Sequence, residues 1–136
     1  MARTEDELPE NIRQNIRQNI SRDNAEQYSW GERCQGWHLV RNADLSVIEE
    51  MMPPGAAEQI HRHHVARQFF YILSGEAVME FGDQKVAMGP GQGVTVNPDA
   101  AHRIRNLSNT EVRFLVISQP STRNGDRENL SQWPGQ

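Results

Sequence analysis

Cysteine is almost absent from this chain. Of 136 residues only Cys34 carries a thiol, which rules out an internal disulfide and makes a reducing compartment the expected setting. An excess of positive charge is missing too. The formal net charge is −4 and the pI ≈ 5.7, and no basic face accumulates, so neither nucleic acid nor an acidic membrane is an expected partner. The most basic stretch, residues 12–22, only alternates Arg with Asn and Gln. No apolar run approaches a membrane span. The polar start Met-Ala-Arg-Thr-Glu-Asp-Glu does not read as a signal peptide, so the expectation is a cytoplasmic protein. The length suits one hydrophobic core and not two. No helix-turn-helix segment is present. Gly89-Pro90-Gly91-Gln92-Gly93 has no helical pattern after it and no Lys-Ser/Thr pair, so it reads as a turn between strands and not as a phosphate cradle.

What the chain does contain divides into three parts. Residues 1–25 carry Asn-Ile-Arg-Gln repeated every four residues. That period places Leu8, Ile12, Ile16 and Ile20 near one helical face, with Pro9 near the start. The reading is a short amphipathic helix or arm. Residues 26–118 change to short apolar runs separated by turn residues. Strands are predicted over 37–41, 45–52, 58–63, 68–73, 76–81, 84–88, 94–97, 102–106 and 111–118, with Gly82-Asp83 as a hairpin turn. Many short strands punctuated by Gly and Pro indicate an all-β sandwich or barrel. Residues 119–136 are polar and turn-rich, and read as a C-terminal surface tail.

Three histidines stand out against this pattern. His61 and His63 lie two apart on a predicted strand, so their side chains point to one face, about 6.6 Å apart along the chain. They can converge on one ion while Arg62 points away. His102, on another strand of the same sheet or barrel, can complete the set. Three inward imidazoles are expensive to bury without a partner, and a metal supplies one. His38 and His64 read as turn or surface residues.

With the strands placed, the chain resembles the cupin superfamily. Gly55, five residues, His61-Arg62-His63, four residues, Gln68, six residues and Gly75 reproduce the spacing of the first cupin motif. The single departure is Gln68, where that motif has Glu. Gly91, His102 and Asn106 fall in register with the second motif, while Asn97 and Asp99 replace its Pro and second Gly. The resemblance implies a double-stranded β-helix jelly-roll barrel, here with the short N-terminal helix or arm. Carried over by position, it implies His61, His63, Gln68 and His102 as ligands of one divalent metal. The neutral Gln68 leaves the ion its full charge and offers a weaker, displaceable oxygen. Fe, Zn, Ni or Cu are therefore expected and Mn less so.

Alternation predicts the surroundings. If Gln68 faces inward, Phe70 and Ile72 do as well; Ile104 and Asn106 join His102, and Phe114, Val116 and Ser118 form one inward set on the last strand. Phe69, Tyr71 and Leu73 then make an apolar outer row, expected to be covered by another sheet, by the arm or by a second copy in a homodimer. Glu49 and Glu50 share a strand, and one could face the cup as a base. Arg103 and Arg105 belong to an edge or interface, and Trp30 and Trp37 read as core or interface anchors. No dedicated acid–base pair can be named. The functional expectation is a metalloenzyme acting on a small anionic organic substrate, dioxygenase-like or isomerase/lyase-like. The alternative is a non-catalytic module that binds a small molecule or sugar.

Overall fold

The computed structural model describes residues 2–13, 19–122 and 125–135. After a 3-10 turn and one helical turn, α1 (Glu10–Arg13), eleven strands follow among the described residues. They are β1 (Glu26–Trp30), β2 (Cys34–Arg41), β3 (Ser46–Met52), β4 (His61–His63), β5 (Arg67–Ser74), β6 (Ala77–Phe81), β7 (Gln84–Met88), β8 (Gly93–Val96), β9 (Arg103–Arg105), β10 (Val112–Gln119) and β11 (Arg127–Asn129). A six-stranded antiparallel sheet runs β1-β2-β3-β10-β5-β8, and the smaller sheets β7-β6-β9 and β11-β4 complete the fold. This is the jelly-roll barrel that the family resemblance implied, within the sandwich-or-barrel class that the turn spacing indicated.

Alternation decides what lies inside. Along β5, Gln68, Phe70 and Ile72 are buried while Phe69, Tyr71 and Leu73 are 36–38% exposed. Phe114, Val116 and Ser118 on β10 are likewise buried. The core joins inward residues of the large sheet (Phe70, Ile72, Phe114) to Met79 and Ile104 of the three-stranded one. The outer row of β5 is covered by no other sheet and by no described part of the N-terminal arm.

Turn chemistry sets the strand ends. Gly75 has φ +80, and a Cβ there would meet the Glu111 carbonyl oxygen at 2.4 Å, so the β5–β6 turn accepts only glycine. Asp99, where the motif has glycine, keeps the left-handed conformation (φ 68) and donates its N–H to the His63 carbonyl at 2.7 Å. Asp is among the few residues that visit that region at small cost.

The structure adds detail to the sequence reading in three segments. Residues 26–30, which the sequence reading did not mark as a strand, pair with β2 as an edge strand that ends at Trp30, and β2 begins at Cys34. Cys34 is buried, and burial pushes its thiol up to about 11. The polar segment 127–129 is also a strand, paired with β4. Neither carries enough apolar residues to mark a strand from sequence. In the arm, the described helix is a single turn, Ile12 and Ile20 are exposed, and Ile16 lies outside the described residues. Arg22 stacks over Trp37 at 5.3 Å and pairs with Glu49 at 3.2 Å, which fastens the end of the arm to the outer face.

Candidate functional site

β4 and the residue before β9 position the histidines. His61 and His102 face each other in an isolated antiparallel bridge, exchanging backbone hydrogen bonds of 3.1 and 2.9 Å. Directly opposed residues present their side chains on one face. His63 shares that face, two residues along β4. All three are buried, and one nitrogen from each lies within 4.8 Å of the others.

Backbone carbonyls orient two of the rings. Nδ1 of His61 donates to the Gln59 carbonyl and Nδ1 of His102 to the Ala100 carbonyl, each at 2.8 Å. A carbonyl only accepts, so these bonds put the proton on Nδ1 and leave the Nε2 lone pair available, as a ligating imidazole requires. His102 Nε2 is buried with no hydrogen-bond partner. Asp126 Oδ2 stands 3.4 Å from His63 Nδ1, without hydrogen-bonding geometry. Burial pushes all three imidazoles down to about 4. Secondary causes are the Arg127 charge at His61, and His61 itself at the other two, so the set is neutral at pH 7.

Gln68 projects inward from β5. Its Nε2 donates to Ser118 Oγ at 3.0 Å, and its Oε1 is buried without a partner. Three neutral imidazoles and an unpartnered amide oxygen are a donor set that fits a divalent transition ion. Two ligands at about 2.1 Å from one ion at tetrahedral angles are about 3.4 Å apart, so nitrogens as far apart as 4.8 Å would close by about an ångström or more on binding. His38 and His64 are not part of this cluster. His64 is exposed between Asp99 and Glu128, both at 3.1 Å.

A cup of about 410 Å³ has His63, Gln68 and Phe70 in its lining, while His61 and His102 are buried behind that lining. Of the residues placed in the pocket from sequence, Phe70 lines the cup. Ile72, Ile104 and Asn106 face inward but lie deeper in the core. Asn106 donates its amide to the Met52 and Thr110 carbonyls and so ties a loop. Alternation gives the side a residue faces but not its depth along the barrel axis.

The opposite wall holds what the sequence did not reveal. Tyr28, Gly36 and Glu50 form one row across β1, β2 and β3. Tyr28 lies across Gly36 and its hydroxyl donates to Glu50 Oε2 at 2.8 Å. A Cβ at position 36 would sit 2.2 Å from the Tyr28 ring, so this reach depends on glycine. Burial, then the neighbouring Glu58, raises the Glu50 carboxyl to about 8, and burial raises the Tyr28 phenol well above its ordinary value. Glu58 is also pushed up by burial, against the pull of Arg127, and its Oε1 lies 3.8 Å from His61 Nδ1. Glu49 points to the outer face, bound by Arg113 at 2.7 and 3.0 Å. The hydrogen-bonded Tyr28–Glu50 pair therefore lines the cup, Glu50 being the one of the two neighbouring glutamates that faces it, and Trp30 joins its wall. Arg103 and Arg105 stand outside it, both paired with Glu80.

Gly36→Ala should displace the Tyr28 ring and break its bond to Glu50 while leaving the histidine floor intact. The expected outcome is unchanged metal affinity with a Glu50 carboxyl that titrates at a different pH, read by NMR of the labelled side chain. An unshifted titration would show that Tyr28 does not depend on this glycine.

Comparison with known proteins supports the fold. A family model described as a cupin domain matches residues 48–118. An uncharacterised protein of Methanocaldococcus jannaschii is 26% identical over 93 residues, covering 68% of this chain and 74% of that protein. An oxalate-binding protein of Thermotoga maritima is 30% identical over 66 residues, 48% of this chain and 54% of its own length. This chain thus spans about half of that relative. The solved structure of the polyketide cyclase RemF from Streptomyces resistomycificus superposes with a TM-score of 0.73 at 15% identity, covering 88% of this chain and 89% of that one.

Proposed function

The chain belongs to the cupin domain family, and on that footing we propose that it is a metal-dependent enzyme of isomerase or lyase type, moving a proton on a small anionic substrate that bears a carbonyl group. The observation that carries this reading is the Tyr28–Glu50 pair in the cup that His63 and Gln68 also line, with His61 and His102 clustered against His63. His61, His63, His102 and the Gln68 oxygen would hold the metal, which supplies Lewis acidity to a substrate oxygen. Glu50 would take a proton from carbon and return it at a neighbouring position, and Tyr28 would steady the carboxylate while its charge changes. A carboxyl near 8 suits that task, because a proton-transfer group works best when its pKa lies close to the working pH. The neutral Gln68 preserves the positive potential that draws in an anion.

The test is proton exchange into 2-oxo acids and 1,3-dicarbonyls in D₂O, followed by NMR with metal-loaded protein. Exchange above the protein-free rate supports the reading, and oxygen uptake without exchange would replace it with dioxygenase chemistry. The oxalate-binding relative favours a second reading, non-catalytic binding of a small dicarboxylate at the same centre. Tight binding with no exchange in any compound would select it. The exposed row of Phe69, Tyr71 and Leu73 supports a homodimer across that face, for which light scattering should give twice the 15.5 kDa chain mass.

Depressed imidazoles make a further prediction. Were each histidine at its ordinary 6.5, lowering the pH from 7.5 to 5.5 would cost about 10³ in metal affinity through proton competition at three sites. With all three near 4, competition begins only below pH 5. Ni²⁺ affinity measured by calorimetry is expected to change by less than about tenfold over that range. A loss near a thousandfold would mean that the rings are not held neutral.

A further inference from the structure

The strand β11 brings the tail of the chain to the edge of the cup. Its register sets Arg127 opposite His63, Glu128 opposite Arg62 and Asn129 opposite His61. Opposed residues share a face, so Arg127 and Asn129 lie on the histidine side of β4, with Cβ atoms about 4.5–5.5 Å from those of their partners. Glu128 falls on the outer side, where it pairs with Arg62 at 2.8 Å. Both inward residues line the cup, and Arg127 is the one basic side chain among the described residues that do so.

The strand is tied down at both ends. Before it, the Val65 N–H donates to Asp126 Oδ1 at 2.6 Å and the His64 N–H to the Asp126 carbonyl at 3.0 Å. After it, the Leu130 N–H donates to the Ile60 carbonyl at 2.8 Å, and Gln59 Nε2 to the Leu130 carbonyl at 2.6 Å. Arg127 is therefore carried on an anchored element. Its Nε donates to Asn129 Oδ1 at 2.8 Å, and its contact with Glu58 is a long 3.8 Å. The side chain remains 40% exposed, so its terminal nitrogens are accessible to an incoming anion. A guanidinium presents parallel N–H donors that match the two oxygens of a carboxylate.

We propose that Arg127, steadied by Asn129, anchors the carboxylate of the ligand, so that the cup selects small molecules that offer a carboxylate to β11 and a second oxygen to the histidine floor. 2-Oxo acids and short dicarboxylates have that form. The assignment rests on the metal reading for its second point of contact. It also gives the C-terminal strand a role in selectivity, since without β11 the cup loses its cation.

The experiment compares Ni²⁺-loaded full-length wild type, Arg127→Gln and Arg127→Lys by calorimetry, with oxalate and imidazole as probes. Imidazole needs an open metal position but no carboxylate anchor. Arg127→Gln is expected to weaken oxalate by about tenfold or more while imidazole and Ni²⁺ affinities stay within about twofold, and Arg127→Lys should recover part of the loss. Absence of oxalate binding to wild type, an unchanged oxalate affinity in Arg127→Gln, or equal weakening of both probes with Lys no better than Gln would overturn it. Wild type that takes up no Ni²⁺ would instead sink the metal reading. Oxalate titrated into the metal-free proteins would then decide Arg127 by the same tenfold criterion.

Discussion

Replacing His102 with alanine is expected to lower Ni²⁺ affinity by more than about 100-fold. Loss of a residue that merely supports a ligand typically costs 10–100-fold, so loss of a ligand should exceed that. The fold should survive, because the bridge between His61 and His102 uses backbone atoms alone. Deleting the ring leaves a void bordered by His61, Phe70 and Phe81, whose rings lie 4.3 to 6.4 Å from it. Imidazole added from solution should enter that void and restore part of the affinity. Circular dichroism checks the fold and calorimetry the metal. An affinity within about threefold of wild type would show that His102 is not a ligand.

Glu50→Gln is the second large effect. Loss of a positioned general base costs about 10²–10⁴ in rate, so proton exchange into the substrate should fall by that factor while metal affinity is retained. The same variant reports on stability. Glu50 has its carboxyl raised from 4.5 to about 8 in the folded chain. Below pH 4.5 it is protonated in both states. From there to about 8 the unfolded chain releases its proton while the folded chain holds it, so the wild type loses stability as pH rises. Above 8 the loss is complete. Glutamine has no such loss, so the Tm of the variant should gain on wild type through that window, by several degrees. A constant Tm difference from pH 4.5 to 8 would mean that Glu50 titrates at its ordinary value.

The parts of the site legible in the sequence are those that depend on local geometry. Period-two alternation places His61 beside His63 and sorts β5 into inward Gln68 and Phe70 and outward Phe69 and Tyr71. The Tyr28–Gly36–Glu50 row depends on which strands are neighbours, and that is decided by pairing between residues far apart in sequence. β1 carries only Tyr28 and Trp30 as large apolar residues, too few to announce a strand. β11 is Arg-Glu-Asn and announces nothing; its strand conformation comes from hydrogen bonds to β4 and the segments around it. Glu50 and Glu49 look alike in sequence, and register alone sends one to the cup and the other to Arg113. Gln68 was recognisable as unusual, but its orientation comes from Ser118, fifty residues away.

The most direct test of the three-histidine centre is a crystal structure of the Ni²⁺-loaded protein measured on both sides of the nickel absorption edge. A single anomalous peak about 2.0–2.2 Å from Nε2 of His61, His63 and His102 is the predicted result. No peak there, or a peak coordinated by other residues, would contradict the account.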